Sequence, residues 1–260
     1  MHQYLFHIGD FPIRMYGLMM CLAIFLATGV AYFLTKKDGR GWDEYITDIG
    51  IYGGFCGIIG GRLWDVFFFD WDYYSGHLLE IPFVWQGGMA IQGGIIGGIL
   101  GGIAYCIYHK IDYVALLDLV TPAIIMGQSI GRMANLLNGD AFGSPTGSSF
   151  GILYPEGTLA HATYGNLPLW PAEVWEGQCD IIIFVLLLLF QTTKYARGQV
   201  FCLYVMLYSL LRFCLEMLRG DYVQPFFLGL KSAQATSLIF FIIALSVFIY
   251  TGTKQKTAKQ

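Results

Sequence analysis

Three groups of charged and polar residues lie within or beside strongly apolar stretches of the chain. The first contains Arg132, Asn135 and Asn138, which are three residues apart and therefore share one face of a helix. A guanidinium binds phosphate oxygens in a bidentate manner, so this face could hold a phosphate group. An arginine paired with a carboxylate to fix helix packing would explain the same spacing equally well.

The second group lies on another predicted helix. Tyr208, Arg212 and Glu216 recur every four residues, which stacks them on one helix face. Glu216 could form an ion pair with Arg219 at the helix end. Arg212 lies deeper in the apolar stretch, so it needs either a carboxylate partner or an anionic ligand.

The third group, Arg62 and Asp65, is three residues apart and could be internally paired. Tyr16 alone is typical of an interfacial aromatic residue, and Glu173 and Glu176 alone are typical of acids at a helix start. A charge deep in a bilayer costs at least about 2.5–3.5 kcal/mol, so it normally faces a polar interior and has a function.

The composition indicates the medium in which these groups lie. Of the 260 residues, 56% are hydrophobic and only 13% are charged, whereas a soluble domain carries about 25% charged residues. The net charge of -3 argues against a nucleic-acid partner, which would require a basic stripe. We therefore predict an integral membrane protein.

Seven apolar runs are long enough to cross a bilayer as helices. They cover residues 14–35, 46–69, 89–108, 114–137, 172–192, 200–218 and 233–251. The predicted fold is an all-α membrane protein with about seven transmembrane helices. A single membrane domain spans 1–251, with an extracytoplasmic head at about 138–171 and a cytoplasmic tail at 252–260.

The basic residues predict the orientation of these spans. With the N-terminus outside, nine of the 15 Lys and Arg residues fall in inner loops and the tail, and three fall in outer segments. This asymmetry fits the positive-inside rule. We therefore expect the N-terminus outside and the C-terminus inside. The start of the sequence lacks the pattern of a cleavable signal peptide.

The sequence gives little support to several other kinds of site. The five histidines do not show metal-ligand spacing, and we find neither a nucleophile elbow nor a phosphate-binding loop. The six cysteines lie in apolar segments without a zinc or redox motif. We predict no metal and no cofactor.

Taken together, these residues resemble the prolipoprotein diacylglyceryl transferase family. The matching pieces occur in the family's order over roughly residues 12 to 245: Tyr16-Gly17-Leu18-Met19, Gly60-Gly61-Arg62, Gly87-Gly88-Met89 with Gly93-Gly94, Gly131-Arg132 with Asn135, Asn138-Gly139 and Gly143, and Tyr208 with Arg212, Glu216 and Arg219.

The resemblance implies transfer of a diacylglyceryl group from phosphatidylglycerol to the lipobox cysteine thiol of a lipoprotein precursor. A thioether forms and glycerol phosphate leaves, without a cofactor. The implied partners are phosphatidylglycerol, the precursor signal peptide and membrane lipid. The implied location is the bacterial cytoplasmic (inner) membrane, with the active site toward the extracytoplasmic side.

The resemblance also implies roles for individual residues. Arg132 and Arg212 would hold the phosphate and the leaving group, because fixed cations stabilise the charge that develops there. Asn135 and Tyr16 would orient the lipid glycerol and the nucleophile. Asp140 would supply a carboxylate on a shorter side chain than the Glu that many family members have at this position.

Other residues are implied to contact or support the substrates. Glu216 would fix Arg212, and Gly143 would permit a tight loop beside the site. A glycine-lined wall on the second and third spans would admit lipid laterally. The full substrate-binding set is Arg132, Asn138, Gly143, Tyr208, Glu216, Arg62, Gln92 and Glu176.

The chain departs from the family at one position of chemical importance. Gln92 occupies the place of a histidine that is often proposed to help deprotonate the thiol, and a neutral amide cannot act as a general base near pH 7. Asp140, Glu173 or an arginine-bound water are the candidate proton acceptors.

Two alternatives to the transferase stay open at this point. One is a non-catalytic paralogue that binds lipid or precursor on the same fold. The other is a transporter, although the sequence shows no repeated half. Arginines neutralised by neighbouring carboxylates, without access to lipid, would weigh against the phosphate-binding hypothesis.

Overall fold

A computed structural model of the protein describes residues 4–8, 11–84, 87–221 and 229–257. Trp85 and Gln86 of the predicted outer loop, and residues 258–260 of the predicted tail, lie outside this part. The described residues are predominantly helical. The helices are α1 (Met15–Asp38), α2 (Asp43–Trp64), α3 (Trp71–Tyr74), α4 (Ile91–Tyr108), α5 (Tyr113–Asn138), α6 (Leu159–Tyr164), α7 (Ala172–Gln191), α8 (Gln199–Leu215) and α9 (Ser232–Thr257).

Among the described residues, three short segments are helices of other types. A π-helix at Asp65–Phe69 extends α2, and 3₁₀ turns occupy Leu78–Glu80 and Glu216–Leu218. The predicted second span at 46–69 is thus an α-helix with a π-helical end. The predicted sixth span ends likewise in a 3₁₀ turn, which carries Glu216.

Five of the described helices are long and apolar enough to cross a membrane. They are α1, α4, α5, α8 with its 3₁₀ turn, and α9. The helices α2 and α7, of 22 and 20 residues, carry several acidic residues and are not among these five. Seven spans and the orientation of the termini therefore stay predictions.

Two features at the ends of the chain differ from the prediction. A two-stranded antiparallel hairpin, β1 (Tyr4–Ile8) and β2 (Phe11–Arg14), precedes α1. Strands of five and four residues are too short for their alternation to stand out within an apolar N-terminal region. At the other end α9 continues to Thr257, within the segment predicted as a tail.

The chain forms two compact units. One comprises Met1–Ala31 and Leu117–Gln260, and the other comprises Tyr32–Leu116. We refer to these as the large unit and the small unit. The single membrane domain predicted for 1–251 stays a prediction.

The small unit depends on close contact between α2 and α4. A Cβ atom added to Gly60 would lie 2.4 Å from the carbonyl oxygen of Gly93, and one added to Gly93 would lie 2.2 Å from that of Gly60. Side chains at these positions are excluded because the two backbones touch. Small residues allow helices in lipid to approach this closely.

Within the large unit, the side chain of Asp118 on α5 binds the start of α8. The Oδ2 atom of Asp118 accepts the backbone N–H of Gly198 at 2.5 Å, and Oδ1 accepts that of Phe201 at 3.0 Å. The first N–H groups of a helix have no partner within the helix, so Asp118 caps α8 from a distant part of the sequence. This contact explains a buried charge that interrupts the apolar run of α5.

The predicted head region, about 138–171, also belongs to the large unit. Its small core consists of Phe142, Tyr154, Ala160 and Leu169. Backbone bridges join Pro145 and Ile152 to Leu169, so that the loop is a compact folded segment. This core anchors the chain between the end of α5 and the start of α7.

Candidate active site

Arg132 and Glu176 form the centre of a polar cluster in the large unit. The Nη2 atom of Arg132, on α5, lies 2.7 Å from the Oε1 atom of Glu176, on α7. Tyr208, on α8, donates its hydroxyl proton to the same Oε1 atom at 2.9 Å and accepts a hydrogen bond from Arg132 at 3.2 Å. Three helices therefore converge on one carboxylate.

Arg212 extends this cluster along α8. Its Nη1 atom lies 3.4 Å from the Oε2 atom of Glu176, and its Nη2 atom lies 2.7 Å from the Oε2 atom of Glu216. Glu176 thus contacts both arginines, one with each oxygen. The resemblance implied the pairing of Glu216 with Arg212 that is present here. The ion pair considered between Glu216 and Arg219 is not the one formed, because Arg219 pairs with Asp221.

The cluster continues from Arg132 toward the head. Asn135 accepts a hydrogen bond of 3.5 Å from Arg132, at the long limit for such a bond. Asp140 accepts hydrogen bonds of 2.7 Å from the amides of both Asn135 and Asn138. The expected face of Arg132, Asn135 and Asn138 is therefore formed, and both of its amides hold Asp140.

The arginines are thus paired with carboxylates, as the packing alternative required. The pairing is unequal in burial: the side chains of Glu176 and Glu216 are 1% and 0% exposed, whereas those of Arg132 and Arg212 are 20% and 14% exposed. The carboxylates offset the cost of two cations in an apolar environment. Each guanidinium has five N–H groups, and the contacts with these carboxylates do not use all of them.

Tyr16 lies at the start of α1 and is 36% exposed. It interacts electrostatically with both Asp140 and Arg132. The residue is therefore near the polar cluster, as the resemblance implied. Its role in orienting a substrate stays a prediction.

Gly143 lies where three backbone segments meet. A Cβ atom on Gly143 would lie 2.2 Å from the carbonyl oxygen of Trp170, and one on Gly220 would lie 2.6 Å from that of Gly143. Gly143 also forms a β-bridge with Arg219. The tight loop expected at Gly143 is present, and its cause is the crossing of backbones at the junction of the head with α8.

The remaining two proposed substrate contacts belong to the small unit. Arg62, 3% exposed, donates hydrogen bonds to four carbonyl groups of the loop before α4. The acceptors are Glu80 at 3.0 Å, Ile81 at 2.8 Å, Gly87 at 2.6 Å and Gly88 at 3.0 Å. Four of its five N–H groups are thus engaged, which favours a structural role for Arg62. Gln92 is exposed in the first turn of α4.

Sequence reasoning missed one carboxyl group in the large unit. Asp180 lies one helical turn after Glu176 and is completely buried, and neither of its oxygens has a hydrogen-bond partner among the described residues. It interacts electrostatically with Arg132 and Glu176. Its spacing of four residues from Glu176 was the available signal.

The sequence also did not indicate the partner of Glu173, which is Tyr154 of the head. Tyr154 donates its hydroxyl proton to Glu173, and both side chains are buried. Burial, and then the charge of Glu173, raise the pKa of the Tyr154 hydroxyl well above its usual range. This contact joins the head core to the first turn of α7, and it leaves Glu173 without exposure to a substrate.

Comparison with known proteins identifies the relatives of this chain. The family model described as prolipoprotein diacylglyceryl transferase matches residues 3–250. A phosphatidylglycerol–prolipoprotein diacylglyceryl transferase of Clostridium novyi is 33% identical over 258 residues, which cover 99% of this chain and 98% of that protein.

Two further relatives carry the same name. The protein of Clostridium kluyveri is 36% identical over 256 residues, covering 96% of this chain and 97% of its own length. The protein of Staphylococcus saprophyticus is 33% identical over 253 residues, covering 96% of this chain and 89% of its own length. The similarity thus extends over nearly the whole sequence.

Proposed function

We infer that this chain, which belongs to the prolipoprotein diacylglyceryl transferase family, transfers the diacylglyceryl group from phosphatidylglycerol to a prolipoprotein. It is a multi-pass membrane protein and a transferase. The non-catalytic alternative is not favoured, because relatives over nearly the full length are named as transferases.

The observation that carries the assignment of a site is the pairing of two arginines with buried carboxylates. The side chains of Arg132 and Arg212 stay partly exposed, while those of Glu176 and Glu216 are buried. This arrangement supports binding of the phosphate of phosphatidylglycerol by the two guanidinium groups. The carboxylates hold the cations in place before lipid arrives, so little reorganisation is needed during reaction.

The reaction then requires one substitution at a glyceryl carbon. The thiolate of the lipobox cysteine attacks the carbon that bears the phosphate ester, a C–S bond forms and the C–O bond breaks. The electron pair of that bond leaves with glycerol phosphate. Arg132 and Arg212 stabilise the charge that grows on the phosphate oxygens.

The thiol proton must go to an acceptor, since the thiolate is the nucleophile. Among the three candidates, Glu173 is buried and bonded to Tyr154. Asp140 is partly exposed, and the amides of Asn135 and Asn138 fix its orientation. We therefore assign the proton to Asp140, directly or through a water that Arg132 binds.

The membrane arrangement is part of the same proposal. The distribution of nine basic residues against three supports seven spans with the N-terminus outside. The cluster then lies toward the extracytoplasmic side of the cytoplasmic membrane, where the precursor presents its lipobox cysteine. Lateral entry of lipid was expected along the glycine-lined wall of the second and third spans. The glycines of α2 and α4 contact each other, so the gap between these two helices is too narrow for lipid.

Turnover by the purified protein tests this function. The protein in nanodiscs containing phosphatidylglycerol is incubated with a lipobox peptide, and thioether product and released glycerol phosphate are quantified by mass spectrometry. A peptide with serine in place of the cysteine is the substrate control. We expect Arg132→Gln and Arg212→Gln each to lower the rate about a hundredfold or more, because each removes a charged donor from the leaving group.

The exposed tail residue Lys254 provides a matched control, since Lys254→Gln removes one positive charge far along α9. That variant is expected to retain the wild-type rate. Wild-type rates in both arginine variants would refute the assigned site. Lipid binding without product in the wild type would favour the non-catalytic paralogue, and gradient-dependent flux without product would favour a transporter.

A further inference from the structure

Lys231 occupies the N-cap position of α9. Its carbonyl accepts the backbone N–H groups of Gln234 at 3.0 Å and Ala235 at 3.1 Å. Its own N–H donates to the side-chain Oε1 atom of Gln234 at 3.0 Å. This is the return half of a capping box, in which the third helical residue binds the backbone of the N-cap residue. The backbone of Lys231 is therefore fixed at the start of α9.

The ammonium group of Lys231 reaches back to the end of α8. Its Nζ atom donates to the carbonyl oxygen of Arg219 at 2.7 Å and to that of Glu216 at 3.0 Å. Carbonyl groups at the C-terminal end of a helix have no partner within the helix and carry the negative end of its dipole. A compact ammonium with three donors suits this position.

The turn that Lys231 holds contains one of the carboxylates of the polar cluster. The side chain of Glu216 in this turn contacts Arg212 at 2.7 Å. The same turn binds the head, because Leu218 accepts the N–H of Ser144 at 2.7 Å and Gly220 donates to Phe142 at 3.1 Å. The segment from Glu216 to Gly220 is therefore a junction between α8, the head and, through Lys231, α9.

We propose that Lys231 is a positioning residue of the transferase, which fixes this turn so that Glu216 holds Arg212 in the orientation that receives the phosphate. The inference rests on the proposed function, because it assumes that Arg212 binds the lipid. Lys231 acts through Glu216 and Arg212, because its ammonium group binds the carbonyl groups of Glu216 and Arg219 in that turn. Neither the charge nor the length of this side chain follows from the apolar pattern of α9.

Steady-state kinetics of two Lys231 variants tests this role. Lys231→Gln removes the charge and shortens the reach, and we expect it to lower kcat/KM for phosphatidylglycerol about tenfold. The KM for the lipobox peptide is expected to stay unchanged, because the turn acts on the phosphate side of the reaction. Lys231→Arg keeps a long cation with several donors and is expected to restore at least half of the lost activity.

A double variant separates positioning from general stability. If Lys231 acts through Glu216, then Lys231→Gln combined with Glu216→Gln should be no slower than Glu216→Gln alone. Folded fractions are compared by size-exclusion chromatography and thermal unfolding, with Lys254→Gln as the charge-matched control. The proposal would be overturned if the double variant lost activity by the product of the two single-variant factors. It would also be overturned if activity fell only in proportion to the amount of folded protein.

The outcomes distinguish this inference from the proposed function. A wild-type rate in Lys231→Gln together with a defect in Glu216→Gln would reject the positioning role and leave the site intact. Wild-type rates in both Glu216→Gln and Arg212→Gln would instead reject the phosphate site itself, and the inference about Lys231 with it.

Discussion

The Oε1 atom of Glu176 lies 2.7 Å from the Nη2 atom of Arg132, although the two residues are on different helices. The other oxygen of Glu176 faces Arg212, so one buried carboxylate joins both arginines of the cluster. The sequence allowed two interpretations of these arginines, pairing with a carboxylate for helix packing or binding of a phosphate. The arginines are structurally paired, and we propose that the same pairing orients them to bind an anionic headgroup.

The bridging role of Glu176 predicts a large effect of its neutral analogue. Glu176→Gln would leave two arginines without their shared counter-charge, and loss of one partner from a buried pair costs roughly 3–5 kcal/mol. We expect a lower thermal unfolding temperature and a loss of transferase activity in the folded fraction.

The control for this variant is Glu156→Gln, which removes an exposed carboxylate from the head. Its stability and rate are expected to equal those of the wild type. Equal unfolding temperatures for Glu176→Gln and Glu156→Gln would show that Glu176 is not a structural bridge.

The backbone crossing at Gly143 predicts that even one methyl group is not tolerated there. Gly143→Ala places a Cβ atom 2.2 Å from the carbonyl oxygen of Trp170, so the two segments of the head that contain these residues must move apart. We expect a clear fall in thermal stability and in the rate of transfer. The control is Gly54→Ala, because a Cβ atom on Gly54 would meet nothing within 4 Å. A fully stable, active Gly143→Ala protein would contradict the described crossing.

The amide at position 92 gives a prediction about proton transfer. If Asp140 accepts the thiol proton, the family's histidine is dispensable in this chain, and Gln92→His should leave the rate of transfer unchanged or raise it. The variant is compared with Gln178→His, an exposed position on α7. A collapse of the rate in Gln92→His alone would show that the site is built around the amide.

Tyr154 gives a prediction about stability at alkaline pH. Burial and the neighbouring Glu173 raise the pKa of its hydroxyl in the folded state, whereas the unfolded chain has the ordinary value of about 10. A raised folded-state pKa means that this contribution to stability is complete below about pH 10 and is lost as the pH rises further. The unfolding temperature should therefore fall above about pH 10.

The variant Tyr154→Phe lacks the titrating group and isolates this contribution. It should be less stable at neutral pH, because Glu173 loses its donor. Its further loss of stability above about pH 10 should be smaller than that of the wild type. Parallel curves for the two proteins across the alkaline range would contradict the raised pKa.

Much of the helical framework could be predicted from the sequence. The apolar runs identified all the long helices, because a bilayer-spanning helix needs a length of apolar chain that few other structures require. The spacing of Arg212 and Glu216 placed them on one helix face, since residues four apart are neighbours on a helix, but it did not decide whether Glu216 pairs with Arg212 or with Arg219.

Contacts between distant segments could not be predicted in the same way. The spacing around Glu176 indicated only a helix-start acid, whereas its function follows from two arginines 44 and 36 positions away in the chain. The partners of Arg62 and Lys231 are backbone carbonyls, which every residue has and which therefore leave no mark in the sequence. The N-terminal hairpin was missed because its strands are short.

The central claim is that Arg132 and Arg212 together bind the phosphate of phosphatidylglycerol. A cryo-electron microscopy structure of the protein in phosphatidylglycerol nanodiscs tests it most directly. We predict phosphate oxygens within hydrogen-bond distance of both guanidiniums, with Glu176 and Glu216 still paired behind them. A phosphate bound elsewhere, with both guanidiniums contacting only their carboxylates, would contradict the claim.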